Sequence, residues 1–395
     1  MKLIKYLFLF LIFELSLGGG GRLIEFKGVS LRILLLSIAL VSSIILILEN
    51  KIPKKIFDTP LLILLLWMFL NFSAFFIGFL NDGFNFSLAF RDIKGQLLFL
   101  LIPFFTFALY FFEDAKRVIK NVFIYNGVIV ASTQLILVSL LFFQIIPYKE
   151  TYNYLYDTQE FFFRQFPFFF YKGLIYSSFS IPFILIFRPK FYRLFLVIIF
   201  LAIFFSFTRG LIIISLFSVV LTWLFMIKSN SKLLIFIIIM SVISSLGLIY
   251  FIDIYETFFS NKGMSDNQRV EDYYYIINNI DVGNLFWGNG LGTLINGRVN
   301  VENSFIWIFF KYGLIGLSLW FVMLVHLFKL MGTAMKIEKF NKISKSFTIA
   351  LYMLIIQSIT NPFINNTIGL TLVLIILVYF KNILYNHKKL KYSIK

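Results

Sequence analysis

Long apolar stretches alternate with short polar connections along most of the chain. An apolar run of about 20 residues is long enough to cross a bilayer as a helix. Twelve such runs cover residues 3–17, 31–48, 60–80, 95–112, 120–146, 168–187, 191–207, 210–227, 233–251, 303–328, 344–360 and 366–385. This pattern predicts an all-α polytopic membrane protein, in which residues 1–395 form a single transmembrane domain of about twelve helices.

The composition agrees with this interpretation. Hydrophobic residues make up 60% of the 395 residues and charged residues 14%, and the mean hydropathy is +0.89. A soluble domain usually carries about a quarter charged residues, and a disordered chain has low hydrophobicity. Both classes are therefore excluded, and the apolar surface is expected to be hidden in a bilayer.

The first apolar run also has some features of a signal peptide. Lys2 and Lys5 precede an apolar core, and small residues follow it. Glu14 and the glycine run 18–21 fit a cleavage region poorly. We therefore expect this run to remain as the first span.

The basic residues indicate how the spans are oriented. With a cytoplasmic N-terminus and alternating spans, 23 of the 36 Lys and Arg residues fall on the cytoplasmic side and 13 on the opposite side. Of the 19 acidic residues, 14 fall on that opposite side. Cytoplasmic loops are typically rich in Lys and Arg, so both termini are expected in the cytoplasm. The net charge of +17 then faces membrane lipids of the anionic inner leaflet and does not indicate a nucleic-acid partner.

Two connections on the extracytoplasmic side are long. One covers residues 147–167, and the longest covers residues 252–302 between the ninth and tenth spans. Long loops on a compact bundle are usually functional. These two periplasmic loops are therefore the first places to look for chemistry.

Metal and thiol chemistry find little support in the sequence. Cysteine is absent, which excludes disulfides, thiolate metal sites and a cysteine nucleophile. The two histidines, His326 and His387, are far apart in the sequence. No metal and no cofactor are therefore expected.

Arg209 is a candidate anion ligand. It stands in Ser206-Phe207-Thr208-Arg209-Gly210, where the seventh span ends and the eighth begins at once. The planar guanidinium offers two parallel charged hydrogen bonds to a phosphate. The alternative is a charge that only snorkels or caps a helix. Arg91-Asp92, before the fourth span, is either a local pair or a second phosphate contact.

The longest loop contains two further signals. Residues 271–277 follow Arg269 and have the pattern of an amphipathic helix. Glycines at positions 288, 290 and 292 resemble a phosphate-cradling loop, although neither a preceding parallel strand nor a Walker lysine accompanies them. Such a turn lets the backbone approach a ligand closely.

Glu302 begins the tenth span directly after this loop. A carboxylate there is favoured by the helix dipole, and it is also placed to act as a general base at the membrane face. Lys311 lies inside the same span. It is expected to snorkel or to pair with a carboxylate such as Glu302 or Glu14.

The order of these segments resembles a known family. The segments are Thr208-Arg209-Gly210, Arg269, Gly288-Asn289-Gly290-Leu291-Gly292, Glu302-Asn303-Ser304-Phe305 and Tyr312-Gly313-Leu314-Ile315-Gly316. Taken together over residues 205–320, and with Arg91-Asp92 upstream, they resemble the O-antigen polymerase and ligase superfamily of bacterial inner membranes.

The resemblance implies a metal-independent membrane glycosyltransferase of the GT-C type. Its donor would be an oligosaccharide on undecaprenyl diphosphate at the periplasmic face, and flippase and chain-length regulator proteins would be partners. By the resemblance, Arg209 and Arg269 would hold the diphosphate. The expected catalytic residues are these two arginines and Glu302, whose role in proton transfer the resemblance leaves open. The residues that bind the substrate would be Arg91, Arg209, Arg269, Asn303, Gly290 and Tyr274.

Tyrosines of the two long loops offer faces on which sugars stack. They are Tyr152, Tyr154, Tyr156 and Tyr273–Tyr275. An interfacial aromatic belt explains them equally well.

One departure bears on the reaction. The ligase branch of the superfamily has a His-Asn pair where this chain has Glu302-Asn303, which favours a polymerase of surface polysaccharide. Two alternatives remain: a ligase that transfers the finished chain to lipid A core, and a non-enzymatic flippase of lipid-linked oligosaccharides. A flippase is expected to show two similar halves and a charged central cavity, and neither is evident in the sequence.

The charge bias predicts cytoplasmic positions for both termini and for the lysine-rich loop 336–345. Reporter fusions at Lys345 and Lys395 should be active only as cytoplasmic reporters, because cytoplasmic loops retain basic residues. Periplasmic activity at either position would contradict the predicted topology.

Overall fold

The computed structural model describes residues 2–19, 24–26, 29–49, 54–81, 83–111, 115–157, 160–164, 166–227, 263–298 and 301–393. The helices are α1 (Lys2–Leu17), α2 (Leu31–Leu48), α3 (Lys54–Phe79), α4 (Phe86–Lys94), α5 (Ile102–Phe111), α6 (Ala115–Phe142), α7 (Tyr148–Asp157), α8 (Ile175–Phe187), α9 (Tyr192–Phe205), α10 (Arg209–Met226), α11 (Gly263–Asn278), α12 (Val282–Trp287), α13 (Ser304–Met335), α14 (Glu338–Thr360) and α15 (Thr367–Ser393).

The prediction of an all-α polytopic membrane protein is confirmed. Within the described part of the chain, seven helices are long and apolar enough to cross a bilayer, namely α2, most of α3, α6, α10, α13, α14 and most of α15. The span in α15 lies at the centre, since 78% of its apolar window is buried, against 28% for α2. Twelve spans are not confirmed.

The remaining predicted spans differ in form. The fourth is a bent pair, in which α4 and the helical segment Gln96–Phe111 meet at 44°, and it counts as an eighth span if taken as one unit. The apolar helices Lys172–Phe187 and Tyr192–Phe205 are too short to satisfy the same length criterion, and α1 has 16 residues. The ninth predicted span, residues 233–251, lies outside the described residues.

Two short antiparallel hairpins interrupt the helical pattern. Strand β1 (Glu25–Phe26) pairs with β2 (Val29–Ser30), and β3 (Phe161–Phe163) pairs with β4 (Phe169–Tyr171). The β3–β4 hairpin is built from phenylalanine clusters that stack across the pair, with ring centroids of Phe162 and Phe170 5.8 Å apart. Cross-strand aromatic pairs of this kind stabilise a hairpin. The sixth span was predicted to begin at residue 168, but its first residues form strand β4, because an apolar run alone does not distinguish a strand from a helix.

Contacts between distant segments define two ends of the bundle. At one end, Lys345 Nζ donates a hydrogen bond to the carbonyl of Phe225 over 2.9 Å, which joins the start of α14 to the last turn of α10. At the other end, Ser304 Oγ donates to the carbonyl of Asn361 over 3.2 Å, which joins the start of α13 to the residue after α14. Because α10 begins at this second end, it is called the Arg209 end below.

A buried ion pair lies between α4 and α13. Lys311 Nζ is 2.7 Å from Asp92 Oδ2, and the side chains are 1% and 4% exposed. The same ammonium donates to the carbonyl of Thr293 over 2.6 Å, and the amide of Gly292 donates to the Asp92 carboxylate over 3.0 Å. Lys311 therefore pairs with Asp92, and the expected partners Glu302 and Glu14 are wrong.

The glycine-rich loop 288–292 packs by direct contact between backbones. Gly290 has φ +78°, and a Cβ added there would lie 2.1 Å from the amide nitrogen of Gly78 in α3. Gly313 interrupts α13 with φ +63° and lies against the backbone of Phe286 in α12. Only glycine combines a positive φ with such close approach, so this part of the motif is explained by packing.

Loss of Lys311 alone should be severely destabilising. Lys311→Met leaves the Asp92 carboxylate buried without its cation, and an uncompensated buried charge typically costs about 3–5 kcal/mol. Thermal unfolding of the purified protein in detergent measures the effect. The double variant Lys311→Met with Asp92→Asn removes the charge while keeping an acceptor for Gly292, so it should recover most of the stability. A single variant as stable as the parent protein would contradict the importance of the pair.

Candidate functional site

A tight turn places Arg209 at the first position of α10. Phe207 has φ +46°, a left-handed conformation that is costly for a residue with a side chain. The turn is held by Ser206, whose Oγ donates to the carbonyl of Ile203 over 2.7 Å and accepts from the amide of Thr208 over 3.3 Å. The ring of Phe207 packs on Phe168, with centroids 4.8 Å apart.

The first turn of α10 favours an anion. Arg209 is half-buried there, and the N-cap residue Thr208 makes no side-chain capping hydrogen bond. A helix N-terminus carries a partial positive charge and exposes amide donors, and the guanidinium adds a full charge. An anion bound here would experience both.

The last turns of α14 connect Arg209 to the Glu302 segment. The buried carboxamide of Gln357 lies against Gly210, the residue after Arg209. One turn later, the carbonyl of Asn361 accepts the hydrogen bond from Ser304 Oγ. The segments 208–210 and 302–304, which are far apart in the sequence, therefore both pack on the same end of α14.

Asn303 caps α13, and Glu302 immediately precedes it. The side-chain oxygen of Asn303 accepts hydrogen bonds from the amides of Phe305 over 2.9 Å and Ile306 over 3.2 Å. Its Nδ2 atom donates to the hydroxyl of Tyr273 in α11 over 3.4 Å. Glu302 is half-buried and lies at the Arg209 end, and its proton-accepting role stays a prediction.

Helix α11 confirms the amphipathic helix predicted in the longest loop. Arg269 lies on this helix, but its side chain lies outside the described residues. Asp272 is buried and forms an ion pair with Arg298, which ties α11 to the turn after the glycine-rich loop. This pair could not be predicted, because no sequence motif links Asp272 to Arg298.

The amides of the glycine-rich loop are directed into the protein. Gly290 donates to the carbonyl of Lys311 over 3.2 Å, Asn289 to that of Phe310 over 2.7 Å, and Leu291 to that of Ala74 over 2.9 Å. The donors that a phosphate-cradling loop presents to its ligand are thus used within the fold. Gly290 positions the loop, and its predicted contact with substrate remains a prediction.

The other predicted contacts lie on exposed surfaces. Arg91 is exposed on α4, next to the buried Asp92, so its predicted local pairing with Asp92 is replaced by the pair with Lys311. Tyr274 is 64% exposed on α11, and Tyr154 is 65% exposed on α7. Both rings are accessible to a sugar.

The ring of Tyr152 is packed within the second loop. It stacks on Tyr156 with centroids 5.8 Å apart, and it contacts Phe163 at 4.2 Å. Burial, and then the nearby Tyr152, raise the pKa of Tyr148 at the start of α7. The Tyr148 phenol is neutral at physiological pH. The ring contacts of Tyr152 show that these aromatic residues pack on one another within the loop, in addition to any role in sugar binding.

A second charged cluster at the Arg209 end was missed by the sequence analysis. Arg32 Nε is 2.8 Å from Glu14 Oε2, and both side chains are nearly buried. The Arg32 guanidinium also donates to the carbonyl of Gly19 over 2.9 Å and to Thr367 Oγ1 over 3.2 Å. It fixes the ends of α1, α2 and α15 together, as a charge buried in a bundle must be paired.

The protein is similar to known bacterial membrane proteins. Residues 194–321 match the model of a family described as O-antigen ligase. The chain is 28% identical over 383 residues to an O-antigen polymerase of Shigella flexneri, which covers 95% of this chain and 94% of that relative. No solved structure matches the chain. The predicted resemblance to the O-antigen polymerase and ligase superfamily is confirmed, and with the apolar helices it supports a multi-pass protein of the bacterial inner membrane.

The capping role of Asn303 can be tested by its effect on stability. Asn303→Asp keeps the side-chain acceptor, whereas Asn303→Ala removes it and should cost about 1 kcal/mol of stability. Thermal unfolding in detergent should therefore rank Asn303→Asp with the parent protein and Asn303→Ala below both. Equal unfolding temperatures for all three proteins would contradict the cap.

Proposed function

We propose that this chain, which resembles the O-antigen polymerase and ligase superfamily, is a polymerase of surface polysaccharide. Its donor is a growing glycan on undecaprenyl diphosphate, and its acceptor is a lipid-linked repeat unit at the periplasmic face. One observation carries the proposal: Gly210, which follows Arg209, and Ser304, which follows the Glu302-Asn303 pair, both contact the last turns of α14. This common end of α14 supports assigning the anion ligand and the proton acceptor to one region.

The reaction is a transfer of a glycan between two lipid carriers. A hydroxyl oxygen of the acceptor sugar forms a bond to the anomeric carbon of the donor. The bond between that carbon and the diphosphate oxygen breaks, and its electron pair leaves with the diphosphate. The proton of the acceptor hydroxyl moves to the Glu302 carboxylate, which acts as general base.

The diphosphate gains negative charge as it leaves, and cations stabilise that charge. In the proposal, Arg209 does so from the first turn of α10, together with the helix N-terminus. Arg269 supplies a second guanidinium from α11. Tyr273, one turn later on the same helix, accepts a hydrogen bond from Asn303. No metal ion is assigned a role. In the described residues, no group of three His, Asp or Glu side chains is arranged to hold one.

The remaining predicted contacts receive subordinate roles. Arg91 and Tyr274 are exposed and are assigned to the sugar and headgroup portions of the substrates. Asn303 and Gly290 hold the segments that carry the site. The cytoplasmic position of both termini, and contacts with a flippase and a chain-length regulator, belong to the same proposal.

The ligase reaction uses the same donor and differs in its acceptor, which is lipid A core. Glu302 stands where ligases have the histidine of a His-Asn pair, and this favours the polymerase. Deletion of the gene separates the candidates by gel electrophoresis of the surface polysaccharide. A single-repeat product indicates a polymerase, polymer accumulating on the lipid carrier indicates a ligase, and failure to export the repeat indicates a flippase.

Arg209→Ala and Arg269→Ala should each abolish polymer while the protein accumulates normally in the membrane. Arg→Lys at either position should restore little activity, because one point charge does not replace a bidentate guanidinium. Polymer length on gels and the level of protein in membranes are the measurements. A chelator added to the purified enzyme should leave the rate of the parent protein unchanged.

The matched control is Arg193→Ala, an exposed arginine at the start of α9. It should polymerise as the parent protein does. If Arg209→Lys and Arg269→Lys were both fully active, the proposed role at the diphosphate would be wrong.

Glu302→Gln should lower the rate by about a hundredfold or more, the usual size of a general-base contribution. Glutamine keeps the size and hydrogen bonding of the side chain but loses its affinity for a proton. The rate is measured with purified enzyme and lipid-linked repeats. Glu302→His, which introduces the ligase-type residue, should retain partial activity because imidazole also accepts a proton.

A purely structural role predicts a different result. A charge near a helix N-terminus contributes about 0.3–1 kcal/mol, so Glu302→Gln would then remain within a few-fold of the parent rate. That outcome would rule out Glu302 as the general base. The assignment as a polymerase would still be tested by the gene deletion.

A further inference from the structure

Gln357 is a buried polar side chain that the mechanism above does not use. It lies in α14, one turn before the end of that helix, and is 1% exposed. In the part of the chain that the structure describes, neither Oε1 nor Nε2 has a hydrogen-bond partner. Buried polar atoms nearly always have a partner in native proteins, so an unpaired carboxamide indicates that a ligand or a water completes the site.

The carboxamide is aimed at the first turn of α10. A Cβ added to Gly210 would lie 2.8 Å from Gln357 Nε2 and 3.1 Å from Oε1. Glycine at position 210 therefore leaves the carboxamide in contact with the helix N-terminus that carries Arg209. The side chain of the N-cap residue Thr208 makes no capping hydrogen bond to that turn and donates instead to the carbonyl of Ser206.

The chemistry of a carboxamide limits what it binds here. Its nitrogen only donates hydrogen bonds, and its oxygen only accepts them. Diphosphate oxygens are acceptors, so they would satisfy Nε2 and leave Oε1 unpaired. A sugar hydroxyl both donates and accepts. It can therefore accept from Nε2 or donate to Oε1, and a neighbouring hydroxyl or amide of the sugar pairs with the other atom.

We propose that Gln357 binds a hydroxyl of the sugar that is linked directly to the diphosphate of the donor. The inference rests on the proposed function, because it takes the diphosphate to be at Arg209. Arg209 and Gly210 lie in the same turn of α10, so a group in contact with Gln357 lies close to the region in which Arg209 is proposed to hold the diphosphate. The sugar next to the diphosphate meets that condition. Gln357 then acts as a positioning and specificity residue.

This role explains why a polar residue is placed in the interior of α14. A site built to hydrogen-bond a hydroxyl rejects ligands that lack it, since its buried polar atoms are then left unpaired. Gln357 would thus distinguish a carrier that bears sugar from the bare carrier released by the reaction.

The test measures binding of two probes to the full-length protein in nanodiscs. One probe is undecaprenyl diphosphate, and the other is the lipid-linked repeat extracted from a strain that lacks this gene. Gln357→Leu should weaken binding of the lipid-linked repeat about tenfold or more, the size expected for a lost hydrogen-bonding group. It should leave the affinity for undecaprenyl diphosphate within twofold of the parent value.

A second variant keeps the proposal testable if Gln357→Leu does not fold. Gly210→Ala adds a Cβ that displaces the carboxamide without removing it, and it should give the same selective loss for the lipid-linked repeat. The matched control is Gly332→Ala in α13, where no atom lies within 4 Å of the added Cβ. This control should bind both probes as the parent protein does.

The other outcomes are distinct. Unchanged affinity for both probes in Gln357→Leu and Gly210→Ala would mean that a water satisfies the carboxamide and would overturn the proposal. Equal losses for both probes would indicate a scaffold role and would also overturn it. Failure of the proposed function is read separately, since Arg209→Ala would then leave the affinity for undecaprenyl diphosphate unchanged.

Discussion

The arrangement of α4, α13 and the glycine-rich loop depends on the buried ion pair between Asp92 and Lys311. Both charges are removed from water, and an ion in such surroundings must be compensated by an opposite charge and hydrogen bonds. The compensation comes from α4, from α13 and from the loop at Gly292 and Thr293. These segments cannot separate without leaving a buried charge unpaired. The ion pair holds the loop 288–292 against the backbones of α3 and α13. Glycine is required in this loop because those backbones lie so close.

The charged residues at the Arg209 end differ in their surroundings. The guanidinium of Arg32 is engaged by Glu14, a backbone carbonyl and a hydroxyl. Arg209 occupies a different electrostatic position. It stands at the N-terminus of α10, where the helix dipole disfavours a cation, two residues after Phe207, whose backbone is left-handed. Unfavourable local features of this kind cluster at functional sites, where the surrounding structure maintains them.

Much of the architecture was predictable from the sequence because span length and hydropathy are local properties. The apolar runs located the seven long spans, and the tight turn at Arg209 was evident because the eighth apolar run begins directly after the seventh. Partners across the bundle were not predictable. Lys311 pairs with a residue 219 positions away, and nothing in the pattern around either residue favours Asp92 over Glu14 or Glu302. The glycine-rich loop is ambiguous in the sequence for a related reason, since close approach to another backbone and to a phosphate both require glycine.

Gln357 shows what only the three-dimensional structure reveals. In the sequence it is one polar residue in an apolar run, a position that is usually satisfied by a neighbouring helix. In the fold, its neighbour is Gly210, a residue without a side chain in the first turn of α10. An arginine and a helix N-terminus attract an anion, whereas an unpaired carboxamide needs both an acceptor for its nitrogen and a donor for its oxygen. A diphosphate joined to a sugar meets these requirements in one ligand, because the diphosphate supplies the anion and the sugar hydroxyls supply both donors and acceptors.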